Sequence, residues 1–105
     1  MLAVTQATFT KDVLQSHLPV IVDYWALWCS PCLMLAPIFE KVSKEFAGKM
    51  VFAKCDVDAN QALAQQQDIR GIPCMVIYKN GKEIERLTGA MDEGMFKSKI
   101  SATLK

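Results

Sequence analysis

The 105-residue sequence is short of almost everything that would mark it for a charged partner, a membrane or a metal. Its 12 lysines and arginines against 11 aspartates and glutamates leave a net charge of +1. No field of one sign draws nucleic acid or an anionic bilayer, and no run of like charge forms a tail. Long hydrophobic stretches are missing too. The widest uncharged span, Tyr24 to Phe39, covers 16 residues, holds Pro31 and Pro37, and is too short to cross a bilayer. The first dozen residues lack a basic region followed by an apolar run, so no secretory signal is expected, and the chain reads as cytosolic (cytoplasmic). A single histidine, His17, and no second close cysteine pair leave little for a zinc or iron–sulfur site, and no metal and no bound cofactor are expected. There is no linker rich in glycine, proline or serine, and no internal repeat. The length fits one domain over residues 1–105.

What is present is an apolar fraction of 51% and four cysteines. In a reducing compartment, four cysteines in a small domain point to chemistry more than to staples. The apolar pattern predicts a short strand near Ala3–Gln6 and a helix over Lys11–Ser16, with Thr8 and Thr10 as capping candidates. A central strand follows at Val20–Trp25, apolar on both faces except at Asp23. From Cys32, Leu35, Ala36, Phe39, Val42 and Phe46 recur at helical spacing up to Gly48. Further strands are predicted at Val51–Asp56, Met75–Tyr78 and Glu83–Thr88. A short helix should occupy Asn60–Gln67, and a last helix should open at Asp92 with Phe96, Ile100 and Leu104 on its buried face. Asn80-Gly81 between two strands is a strong hairpin signal. The order β, α, β, α, β, α, β, β, α gives an α/β fold: a three-layer sandwich on a mixed sheet.

Chemistry concentrates at Trp28-Cys29-Ser30-Pro31-Cys32, where the apolar strand gives way to the long helix. A thiol at a helix N-terminus faces unpaired N–H groups and the positive end of the dipole, both of which favour thiolate. Cys29 is therefore read as an exposed nucleophile of lowered pKa. Cys32, two residues on from Ser30, lies near enough to resolve a mixed disulfide, and Pro31 fits a first turn whose missing donor has no use there. The implied cycle is thiol–disulfide exchange. Trp28 beside the nucleophile reads as an apolar platform for substrates, and Trp25 as core. Asp23, a carboxylate among apolar neighbours, has one structural explanation in an ion pair with Lys54 on the next strand.

Four segments, DYWALWCSPC at 23–32, FAKCDVD at 52–58, IRGIPC at 69–74 and KNGKEIERLTGA at 79–90, resemble the thioredoxin family in order along the whole chain. The resemblance implies the thioredoxin fold, a five-stranded mixed sheet flanked by four helices. It also implies reduction of disulfides in client proteins, and re-reduction by an NADPH-dependent thioredoxin reductase. It assigns Asp23 as the base that deprotonates Cys32, with Lys54, Ser30 and Pro31 tuning the redox pair. It makes Pro73 a cis-proline that exposes Ile72 for pairing with an extended substrate, in a groove rimmed by Arg70, Gly71, Gly89 and Ala90. A turn role explains the two glycines equally well. The sequence departs from the family at Ser30, where glycine is usual, and at Leu27 and Leu33, where charge is common. It departs again at Cys74, where threonine is common; Cys74 and Cys55 read as small buried side chains, and a third redox thiol at Cys74 is the sharper alternative. Nothing in the sequence requires more than a monomer. Two other functions stay open: a specialised reductant or oxidant for one partner, and a groove-binding module without turnover.

Overall fold

Strand β2, Val20–Trp25, is the spine of the molecule, because it is the central strand of the five. In the computed structural model, which describes residues 1–105, β2 runs parallel to β3 (Val51–Asp56) and antiparallel to β4 (Cys74–Lys79). Two edges complete a sheet of order β1-β3-β2-β4-β5: β1, Leu2–Ala3, beside β3, and β5, Lys82–Thr88, beside β4. The register sets Asp23 opposite Lys54 on one side and Met75 on the other.

Alternation along the strands sends side chains to two cores. On one face Ile21, Phe52, Met75 and Ile77 pack under α1 (Ser30–Glu45) and α3 (Glu93–Leu104), which contribute Leu35, Phe39, Phe96 and Ile100. Phe39 is the hub there, with ring centroids 5.0 Å from Phe52 and 5.9 Å from Phe96. On the other face Val22, Tyr24, Cys55, Cys74 and Val76 meet Phe9, Val13 and Leu63, the last from α2 (Gln61–Gln66). Fully burying each such side chain contributes roughly 1.5–3 kcal/mol. The three-layer sandwich, the five-stranded mixed sheet and the four helical segments therefore agree with the sequence. No helix is long and apolar enough to cross a membrane.

The ends of the elements follow local chemistry. The hairpin turns at Asn80 and Gly81, whose φ angles of 54° and 79° lie in the left-handed region that Asn-Gly favours. Asp92 caps α3 by accepting from the Met95 N–H at 2.8 Å. Two predicted elements differ from what forms. The strand expected over Ala3–Gln6 is only Leu2–Ala3, because the Thr5 N–H donates to Thr8 Oγ1 (2.9 Å) and the Gln6 N–H to Asn60 Oδ1 (3.0 Å), which ends the ladder. The helix expected over Lys11–Ser16 is a π-type turn, Thr10–Leu14, in which the Gln15 N–H reaches back to the Thr10 carbonyl (3.0 Å). Neither Thr8 nor Thr10 caps it, since Thr8 is occupied with Thr5. The start of α2 is capped from a distance: Gln6 Oε1 accepts from the Ala62 and Leu63 N–H groups.

Candidate active site

The central strand ends at Trp25, and the turn Ala26-Leu27-Trp28 places Cys29 at the N-cap of α1, closed by a bond from the Cys29 N–H to the Ala26 carbonyl (3.2 Å). Cys29 occupies the place an N-cap serine or aspartate usually takes, its Sγ accepting from the Cys32 N–H at 3.2 Å. Pro31 sits in the first turn, where its missing donor leaves nothing unpaired, and Ser30 is exposed. Cys29 and Cys32 are joined as a disulfide, with Cα atoms 5.2 Å apart. When that bond is reduced, the amide that now faces a disulfide sulfur faces a thiol. It then favours the anion, adding to the dipole of a 16-residue helix.

Cys29 is not the exposed side chain expected. It is 4% accessible, covered with Cys32 by Ala26, Trp25, Val57 and Ile72. Part of the cover is distant in sequence: Val57 and Ile72, the latter with its carbonyl oxygen 3.8 Å from Cys29 Sγ, are brought there by the fold rather than by the motif. The Ile72–Pro73 peptide bond is cis and Pro73 is buried.

Asp23 is inaccessible to solvent, and neither carboxylate oxygen has a hydrogen-bond partner. By alternation it projects, like Ile21, to the face covered by α1, the helix that carries Cys32. Burial pushes its pKa up to about 6, with Lys54 pulling the other way. The Asp23–Lys54 ion pair, the structural alternative for this carboxylate, does not form. The Lys54 ammonium lies 4.6 Å from the centroid of the Trp25 ring, where a cation–π contact and water serve it better than a buried carboxylate. Trp25 is correspondingly only partly buried.

Trp28 is 70% exposed, with its indole N–H donating to Asp58 Oδ2 at 2.8 Å. Beside it runs an open groove of about 290 Å³ lined by Trp28, Val57, Ile69, Arg70, Gly71 and Ile72. Arg70 turns its guanidinium to Asp68 (2.8 Å), leaving its stem on the rim. Gly89 and Ala90 do not share this groove. Ala90 lines a separate depression with Met34, Ile38 and Met91, because the chain leaving β5 heads for the α1–α3 face while Ile69–Ile72 arrives from α2 on the opposite one. Gly89 links the two by donating its N–H to the Pro73 carbonyl (2.9 Å) at a φ of 91° that glycine tolerates.

Cys55 and Cys74 are buried in the α2-side core. Burial raises both thiols, Cys55 to about 11, which leaves them poor nucleophiles. No three His, Cys, Asp or Glu side chains converge as a metal site. Sequence reasoning missed Asp58, Val57 and Ile69. The only signal for Asp58 was a carboxylate just past β3, and nothing local tied it to Trp28.

A family model described as Thioredoxin matches residues 1–102. A thioredoxin of Chlorobaculum thiosulfatiphilum is 42% identical over 96 residues, spanning 91% of this chain and 89% of its own. A thioredoxin of Synechocystis sp. is 40% identical over 102 residues, 97% of this chain and 92% of its own. One from Mycobacterium tuberculosis is 40% identical over 98 residues, 93% and 84% respectively.

Proposed function

Because the chain belongs to the thioredoxin family and is a protein-disulfide reductase working by dithiol–disulfide exchange, we propose the following division of labour at its site. The Cys29 thiolate attacks one sulfur of a client disulfide, forming a Cys29–client disulfide and expelling the client's other sulfur as thiolate. Asp23 takes the proton of the Cys32 thiol, and the Cys32 thiolate attacks Cys29 Sγ and releases the second client sulfur. Two electrons pass to the client, which gains two protons, and Cys29–Cys32 is left oxidised. The observation that carries this reading is the Cys32 N–H on Cys29 Sγ at the cap of α1. Asp23, buried without partners on the α1 face, supports the role of base. Ser30, Pro31 and Lys54 tune the pair. Trp28, Arg70, Gly71, Ile72 and Pro73 form the client platform, with Gly89 and Ala90 on a second shelf behind it. The electron donor for turnover is outside the chain: an NADPH-dependent thioredoxin reductase passes two electrons to Cys29–Cys32, which takes two protons from water and returns to the dithiol, in the cytoplasm.

The oxidised protein, supplied with NADPH, thioredoxin reductase and insulin, is expected to sustain NADPH oxidation and reduce insulin. No turnover despite an intact Cys29–Cys32 disulfide would overturn the general-reductase reading in favour of a dedicated partner or an oxidising poise.

The rim of this site is apolar: Leu27 and Leu33 are 71% and 48% exposed, and Met34 is open beside them. Clients with apolar residues flanking their cystine should be preferred. Leu33→Lys is expected to slow reduction of a peptide disulfide with apolar flanks about fivefold, a loss of ~1 kcal/mol of partial apolar burial, and to spare one with acidic flanks. Equal effects on the two peptides would remove the preference.

A further inference from the structure

The segment that faces Cys29 has almost no hold of its own. Arg70, Gly71 and Ile72 make no backbone hydrogen bonds, yet the Ile72 carbonyl lies 3.8 Å from Cys29 Sγ. The segment is gripped at its two ends. Downstream, the Pro73 carbonyl accepts from the Gly89 N–H at 2.9 Å. Upstream, α2 runs out at Gln67, and the chain turns through Asp68 at a φ of 56°, a left-handed corner usually given to glycine. There the guanidinium of Arg86 supplies the missing donors. Nη2 donates to the Gln67 carbonyl (2.7 Å) and Nη1 to the Asp68 carbonyl (2.9 Å). Glu83 fixes the fork from its own strand, accepting from Nε at 2.9 Å and from Nη2 at 2.8 Å. Gln67 is held a second time through its side chain, whose Oε1 accepts from the Tyr78 hydroxyl at 2.8 Å. Arg86 lies on β5, and Gly89 immediately follows that strand. A single edge strand therefore anchors both ends of the stretch presented to Cys29.

We propose that Arg86, oriented by Glu83, is a positioning residue for client recognition, holding Ile69–Pro73 where an extended client chain can pair beside Cys29. It does so without touching client or sulfur. The inference rests on the reading of Ile69–Pro73 as the client platform. A planar, bidentate fork is needed, since lysine can reach one carbonyl but not two while keeping Glu83. A large client depends on the platform's placement, whereas a small disulfide needs only the thiolate.

Reduced protein is mixed in single turnover with insulin and, separately, with the small aromatic disulfide dithiobis-nitrobenzoate, and thermal unfolding is recorded for each variant. Arg86→Met is expected to slow the insulin reaction about tenfold and the small-disulfide reaction by less than about twofold, with Arg86→Lys recovering only part of the loss. Glu83→Gln should show the same selectivity at about threefold, and it decides the matter if Arg86→Met does not fold. Equal slowing on both substrates, or no slowing on insulin, overturns the inference. Gly71→Glu separates the two readings, because a side chain there meets open space in the fold. If Gly71→Glu slows insulin and the Arg86 variants do not, only the role of Arg86 falls. If Gly71→Glu leaves insulin unaffected, the platform reading falls and the inference with it.

Discussion

Cys29→Ser is expected to lower insulin reduction by at least about 10³-fold, because a serine hydroxyl stays protonated at neutral pH and cannot open a disulfide. Cys32→Ser should behave differently. The first attack still occurs, and the Cys29–client disulfide then persists, since the remaining thiols are unfit to resolve it: Cys55 and Cys74 are buried, with burial raising both. Mass spectrometry of the Cys32→Ser protein mixed with insulin should show one covalent adduct that dithiothreitol removes. The serine at position 32 still offers its backbone N–H to Cys29 Sγ, so the nucleophile keeps its helix-terminal partner. Full activity in Cys29→Ser would replace exchange with binding alone, and normal turnover in Cys32→Ser would mean that resolution comes from outside the pair.

Asp23→Asn is expected to separate stability from turnover. The folded carboxyl has a pKa of about 6 against 3.8 for the ordinary group, so the native state binds the proton more tightly than the unfolded chain. The stabilisation this gives is complete below the unfolded value and is lost as pH rises through about 6. Above that, the buried unpaired charge costs ~3 kcal/mol. Asparagine carries no charge to bury. Urea unfolding at about pH 8 should therefore show Asp23→Asn more stable than the parent by ~2–3 kcal/mol, with the gap closing near pH 4. Turnover should move the other way, with release of the Cys29–client disulfide slowed about tenfold or more for want of a base. A parent protein as stable at pH 8 as at pH 4 would contradict the buried charge. An Asp23→Asn variant that resolves at the parent rate would remove Asp23 from the chemistry.

The parts of this molecule legible in sequence are those whose cause is local. Asn80-Gly81 demands a left-handed pair whatever surrounds it, Asp92 needs only its own first turn, and Val20–Trp25 is apolar on both faces because helices cover both. The redox pair was legible for the same reason, since strand, turn, cysteine and helix are consecutive. What stayed hidden depends on partners far along the chain. Val57 and Ile72 help to shield Cys29, the cap of α2 comes from Gln6, and Trp28 is steered by Asp58. Lys54 had two neighbours to choose from, and the choice of Trp25 over Asp23 is one of desolvation, which spacing does not encode. Gly89 and Ala90 were placed in the Arg70 groove by the family resemblance, whereas Ala90 lines a separate depression and Gly89 joins the two through its bond to the Pro73 carbonyl.

The two borders of the sheet have a consequence for how such a molecule avoids sticking to itself. A protein that recognises unfolded, extended chains through backbone pairing is at risk of adding strands at any open border, the route to aggregation. Here one border is a two-residue strand, too short to template another. The other carries the exposed charges Lys82, Glu83 and Glu85, with a shift in register between Ile77 and Tyr78 that breaks a flat ladder. The free backbone groups of Arg70, Gly71 and Ile72 lie off the sheet, in a stretch too brief to nucleate a fibril. On the proposed reading of the platform, that one open stretch of backbone lies beside the thiol that acts on what it holds.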